Sequence, residues 1–168
     1  MKIVYLHYHL KPGGVTTVLR QQAAAMARNH SVLILSGSPV PEDLEAPGAE
    51  VPELDYDVLR PAAVTPAALA AAISAAIEAR WPGGCDLIHV HNPTLVKNKA
   101  LLPALARLRD EGMRLLLQVH DFAEDGRPGV YTQTPYPADC HYAVINSRDH
   151  RLLCEAGLSI EGCHWLPN

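Results

Sequence analysis

Short apolar runs alternate along this chain with longer segments of helical spacing, and no other feature restricts its fold so severely. "KIVYLHYH", "HSVLILSG", "CDLIHVH", "MRLLLQVHD" and "CHYAVINS" are rich in aliphatic and β-branched residues and too short for buried helices. They read as strands covered on both faces. In "GVTTVLRQQAAAMARN" the residues Val15, Val18, Leu19, Ala23 and Met26 fall on one helical face. A second helix starts at a cap at Thr65 or the residue beside it, with Pro66 in the first turn, and runs to about Arg80, where "WPGG" stops it. "NKALLPALARLRDEG" is a third helix ended by Gly112. "SRDHRLLCEAGL" is a fourth, ending at Gly157, and "CHWLPN" a last short strand. The proline- and acid-rich segment 38–66 reads as loop, with a short third strand near Val51 to Leu54. The pattern predicts an α/β fold: a three-layer, Rossmann-like domain with a parallel sheet covered by helices on both faces. At 168 residues, 1–168 is expected to form one such domain.

Charge and cysteine usage narrow the function. The net charge is −4, which argues against a nucleic-acid binder, because such proteins carry a basic face. No apolar stretch approaches the roughly 20 residues of a membrane span, which leaves peripheral contact as the membrane role open to it. "MKIVYLHYHL" has no small-residue cleavage site after it and reads as a first strand, not a signal peptide. Cys85, Cys140, Cys154 and Cys163 form no C-x-x-C pair, so neither a zinc ribbon nor a thioredoxin-like site is suggested. They read as reduced thiols in a cytoplasmic protein.

The chemistry-bearing residues gather at strand ends. His7 and His9 close the first strand and precede Gly13 and Gly14. His89 and His91 close another and precede Asn92, and His120 with Asp121 closes a third. In a parallel sheet these ends share one edge, so three segments deliver histidines to one rim. Glycine lacks a Cβ and lets backbone amides approach a ligand, and the helix start after Gly14 favours an anion such as phosphate or diphosphate. The pair fits neither G-x-G-x-x-G nor the Walker pattern, and a tight strand-to-helix turn explains it equally well. Period-two geometry puts His7 with His9, and His89 with His91, on one face. His7 and His89 read as satisfied core histidines, and His9, His91 and His120 as the candidates for ligand contact. No carboxylate cluster or H-E-x-x-H accompanies them, which speaks against a metal. Asp121 orients His120 only if the chain turns there; otherwise it caps the following loop. A nucleophile elbow G-x-S-x-G is absent. The long loop "FAEDGRPGVYTQTPYPADC", with Arg127, Tyr131 and Tyr136, either shapes an acceptor pocket or is ordinary surface loop.

Four segments in series, "KPGGVTTVLRQQAAAMA", "CDLIHVHNP", "LLLQVHD" and "AVINSRDHRLLCEAGLSIEGCHWLPN", resemble the amino-terminal half of a family 4 glycosyltransferase. Enzymes of that family have the GT-B fold, with two Rossmann-like domains facing across a cleft. The resemblance implies transfer of a sugar from a nucleotide-sugar donor to an acceptor hydroxyl with retention of configuration, without an essential metal or other cofactor. It implies that Gly13 and Gly14 lie near the donor diphosphate and that His120 faces the donor sugar and supports catalysis. His9, Lys11, His91 and Asn92 would line the acceptor side. The family's second domain holds most of the donor, and nothing in these 168 residues resembles it. The chain is therefore expected to be part of a longer enzyme and inactive by itself. The alternative is a stand-alone, non-catalytic module that binds a phosphate or carbohydrate ligand. An oxidoreductase-like nucleotide-binding domain fits least, since no acidic residue clearly ends the strand "LILS".

Overall fold

The computed structural model describes residues 1–121, 128–132, 136–155 and 160–167. Among these residues seven strands form one sheet: β1 (Lys2–His7), β2 (Ser31–Ser36), β3 (Gly48–Glu50), β4 (Leu87–His91), β5 (Leu115–Val119), β6 (His141–Val144) and β7 (Cys163–Trp165). Their order is β3-β2-β1-β4-β5-β6-β7, and every pairing is parallel. This is the doubly wound arrangement, in which the order reverses between β1 and β4 and ligands bind beyond the carboxyl ends of the strands. The helices are α1 (Gly14–Ala27), α2 (Pro66–Arg80), α3 (Leu101–Asp110) and α4 (Ser147–Glu155).

Alternation along β1 and β2 divides the core in two. Val4, Leu6, Leu33 and Leu35 face α2 and α3, where Leu69, Ile73, Ile77, Leu101, Leu105 and Leu108 meet them. Ile3, Tyr5, Val32 and Ile34 face the other way, against Leu19 and Ala23 of α1. Leu69, Ile73 and Ile77 recur every four residues, so α2 presents one continuous apolar stripe, each side chain worth about 1.5–3 kcal/mol when buried. Thr65 caps α2 by accepting a hydrogen bond from the Ala68 amide at 3.1 Å, with Pro66 as the first helical residue. Gly112 ends α3 at φ +92°, its amide donating to the Arg109 carbonyl at 2.8 Å.

One expectation changes. The third strand lies at Gly48–Glu50, and Pro52–Leu54 forms a single 3-10 turn instead. Pro52 has no amide to give a sheet ladder, so pairing ends before it. The expected end of α4 at Gly157 lies outside the described residues, as does Arg127 in the long loop. The described part of that loop pairs back onto the segment after β4: the Val96 amide donates to Val130 O and the Thr132 amide to Thr94 O. Tyr131 is buried there.

Candidate functional site

The histidines converge because of strand register. Tyr5 lies opposite His89 in the β1–β4 pairing, and His89 opposite Leu116 in the β4–β5 pairing. Side chains two residues apart share a face, so His7, His89, His91, Gln118 and His120 all project from the α1 side of the sheet near its carboxyl edge. The rings of His89 and His91 stack with centroids 4.7 Å apart, and those of His91 and His120 at 5.2 Å. His91 Nδ1 and His120 Nε2 share a hydrogen bond of 3.0 Å. Below this stack, His89 Nε2 bonds Gln118 Oε1 at 2.9 Å. Beside it, His7 Nδ1 donates to the His91 carbonyl at 3.1 Å. A second group of rings continues around the rim: His7 meets His9 edge-on at 5.3 Å, and His9 Nε2 bonds the Tyr56 hydroxyl at 3.1 Å.

Asn92 secures the far end of the arrangement. It sits just past β4 with φ +51°, a left-handed conformation that asparagine tolerates better than most residues. Its Oδ1 accepts from the His120 amide at 2.8 Å and its Nδ2 donates to Asp121 Oδ1 at 3.1 Å. The Tyr8 hydroxyl donates to the Asn92 carbonyl at 3.0 Å and reaches Leu95 O at 3.2 Å. Asp121 thus accepts a bond from the residue just past β4; the loop it would cap in the alternative reading lies outside the described residues.

Burial keeps these imidazoles neutral. His7 and His89 are each pushed down to about 4, mainly because a charge there would lose its water. His91 is held well below the ordinary histidine value by burial, and then by the histidines around it. His120, less enclosed, is lowered by burial with Asp121 acting against the shift. His9 is lowered by burial and then by Lys11. At neutral pH the rim therefore offers neutral N–H donors and lone pairs, without a cluster of cations.

The residues singled out in the sequence do not all reach the surface. His9 and His120 are partly exposed at the rim, Lys11 and Gly13 lie in the exposed loop that leads into α1, and exposed Gly14 is the first residue of that helix. His91 has no exposed surface and Asn92 only 5%. Both were expected to line the acceptor side, and both instead face the end of β5 and hold it. Gly13 precedes α1 with no side-chain cap on the helix, so the amides of its first turn point into this loop. A cleft of about 590 Å³ runs beside α1, lined by Leu10, Pro12, Gly13, Arg20 and Leu44 among others, and none of the stacked histidines lines it. Tyr56, Tyr8 and Gln118 complete the site and were missed. Tyr56 sits in an acidic loop with no periodic pattern, and Gln118 reads simply as a polar interruption of an apolar strand.

Comparison with known proteins adds family and fold. A family model described as "Glycosyl transferase 4-like domain" matches residues 13–156. No curated protein matches the chain. Among solved structures, sucrose-phosphate synthase from Thermosynechococcus elongatus shares 15% identity at a TM-score of 0.57, over 99% of this chain and 47% of that one. The apo UGT2 of Phytolacca americana shares 15% identity at a TM-score of 0.42, over 73% of this chain and 30% of its own. The chain thus spans less than half the length of either protein.

Proposed function

The chain belongs to the glycosyl transferase 4-like domain family, and from that premise we propose that it is the acceptor-side, amino-terminal domain of a retaining, GT-B glycosyltransferase. In this reading a sugar passes from a nucleotide-sugar donor to an acceptor hydroxyl. A second domain, which these 168 residues do not include, binds most of the donor, so this domain alone does not turn over. The observation that carries the reading is the anchored placement of His120. Its Nε2 is engaged by buried His91 and its amide by Asn92, leaving Nδ1 as the nitrogen for a ligand at the strand-end rim. A neutral imidazole fixed in this way suits a sugar hydroxyl or the charge developing on a departing phosphate, because its dipole is oriented before the reaction begins.

Gly13 and Gly14 take the diphosphate side of the cleft. A Cβ at Gly13 would meet only Lys11 O, at 3.9 Å, and one at Gly14 would meet nothing within 4 Å. Gly13 has φ 170°, extended backbone open to any residue. Packing therefore does not explain this pair, and a ligand drawn against the backbone does. His9, tied to Tyr56, and exposed Lys11 are assigned to the acceptor side. His91 and Asn92 position His120 without touching substrate.

The test is His120→Ala in the full-length protein. Loss of a positioned catalytic group should lower turnover by about 10²–10⁴-fold while thermal unfolding of the partly exposed site changes little. Near-full turnover would remove His120 from the mechanism. The anomeric configuration of the first-formed product, read by NMR, decides retention against inversion.

A further inference from the structure

A second cluster lies away from the histidine rim. His150 and Cys154 sit four residues apart on α4, the spacing that puts two side chains on one helical face. Cys163 is the first residue of β7, opposite Tyr142 near the amino-terminal end of β6. One nitrogen of His150 and the two sulfurs lie within 4.8 Å of one another. We propose that His150, Cys154 and Cys163 form a binding site for a thiophilic divalent cation of the zinc class.

The donor set carries this assignment. Two thiolates and an imidazole suit zinc, with bonds of about 2.3 Å to sulfur and 2.0–2.1 Å to nitrogen. Around a tetrahedral ion those lengths put the donors roughly 3.5–3.8 Å apart. The side chains close on the ion by moving about 1 Å, within reach of a rotamer adjustment at half-buried His150 and Cys154. The second shell is also present. His150 Nε2 donates to the Cys163 carbonyl at 3.2 Å, which leaves Nδ1 as the nitrogen with a lone pair. Metal-bound histidines habitually hold their other ring N–H on such a carbonyl. His164, next in sequence, alternates to the opposite face and stacks on His141 at 5.1 Å, so it is not a fourth ligand. Among the described residues the cluster supplies three donors. The ion would join α4 to β7 across the connection between them, far from the strand ends where transfer is assigned, so its effect is on stability and not on chemistry.

Cobalt(II) is the probe, added to the reduced, metal-free chain. The expected result is saturation at one equivalent, with a thiolate-to-cobalt charge-transfer band that zinc then abolishes. Cys154→Ser should weaken binding more than tenfold and diminish the band. His150→Gln should weaken binding at least tenfold while keeping sulfur-to-metal absorption. Cys85→Ser should change neither. Both key substitutions are at half-buried positions, and circular dichroism confirms that each variant folds. Absence of the band at stoichiometric cobalt overturns the proposal, as does a band indifferent to both Cys154→Ser and His150→Gln. A Cys154–Cys163 disulfide formed in air, in a chain whose reduced form takes up no cobalt, also overturns it and makes the thiols a redox pair.

Discussion

Nδ1 of His91 and Nε2 of His120 stand 3.0 Å apart, with a fully buried ring holding a partly exposed one. One ring nitrogen of His120 is thereby committed to the protein, and the direction of the other follows. His91→Phe keeps an aromatic ring for the stack and removes the bond. In the full-length protein it should lower kcat by about tenfold or more with little change in KM, because the free energy lost belongs to positioning in the transition state. An unchanged kcat, with the fold intact by circular dichroism, would sever the link between the two rings and catalysis.

Asn92 combines a left-handed backbone with two side-chain bonds to the end of β5, and substitutions separate these contributions. Asn92→Gly removes both bonds but suits φ +51°, so the loss should be about 1–2 kcal/mol. Asn92→Ala loses the bonds and adds backbone strain, for about 2–3 kcal/mol in all. Urea unfolding should rank stability as wild type, then Gly, then Ala. If Gly proved less stable than Ala, backbone strain would not be the deciding term.

Much of the sheet was readable from the sequence because two-sided burial leaves an unmistakable run of aliphatic residues, as in "SVLILS" or "LLLQV". The convergence of His9, His91 and His120 on one edge followed from parallel pairing alone. What period-two reasoning lacked was depth. It placed His91 near the strand end but not beneath His120, since that depends on how far β5 runs past β4. The third strand was misplaced because Val51 to Leu54 looks apolar, while backbone pairing is decided by Pro52. The cluster of His150, Cys154 and Cys163 stayed hidden for another reason: its third member arrives through tertiary structure, and no spacing rule links a helix to the strand after it.

Acid should weaken the fold before it affects most carboxylates. His7 and His89, each held at about 4, and His91, held well below the ordinary histidine value, bind protons less readily when folded than the ordinary unfolded value near 6.5. Above that value all are neutral in both states and contribute no pH dependence. Between about pH 6.5 and 4 the unfolded chain takes up protons that the native one refuses. Stability should fall across that window by up to about 1.4 kcal/mol per pH unit for each histidine. His7→Asn keeps a donor toward His91 O and removes one titrating group, so its stability should fall less steeply. Urea midpoints at pH 7, 6 and 5 measure both slopes, and parallel slopes would mean that His7 is not titrating between the states.

Two glycines of this chain play opposite parts. A Cβ on Gly37 would lie 2.1 Å from the Asp55 amide nitrogen, so that residue is glycine because the chain folds against it. A Cβ on Gly13 meets only a carbonyl at ordinary contact distance. Gly37→Ala should therefore destabilise by several kcal/mol or prevent folding, through a backbone clash that no rotamer relieves. Gly13→Ala should leave stability unchanged or raise it by up to about 1 kcal/mol, since alanine restricts the unfolded chain. In the full-length protein the same change should raise the KM for the nucleotide sugar about tenfold, because the methyl group stands where a diphosphate is to approach the amides. A Gly13→Ala enzyme with normal stability and normal KM would make the glycine a simple turn residue and move the diphosphate elsewhere.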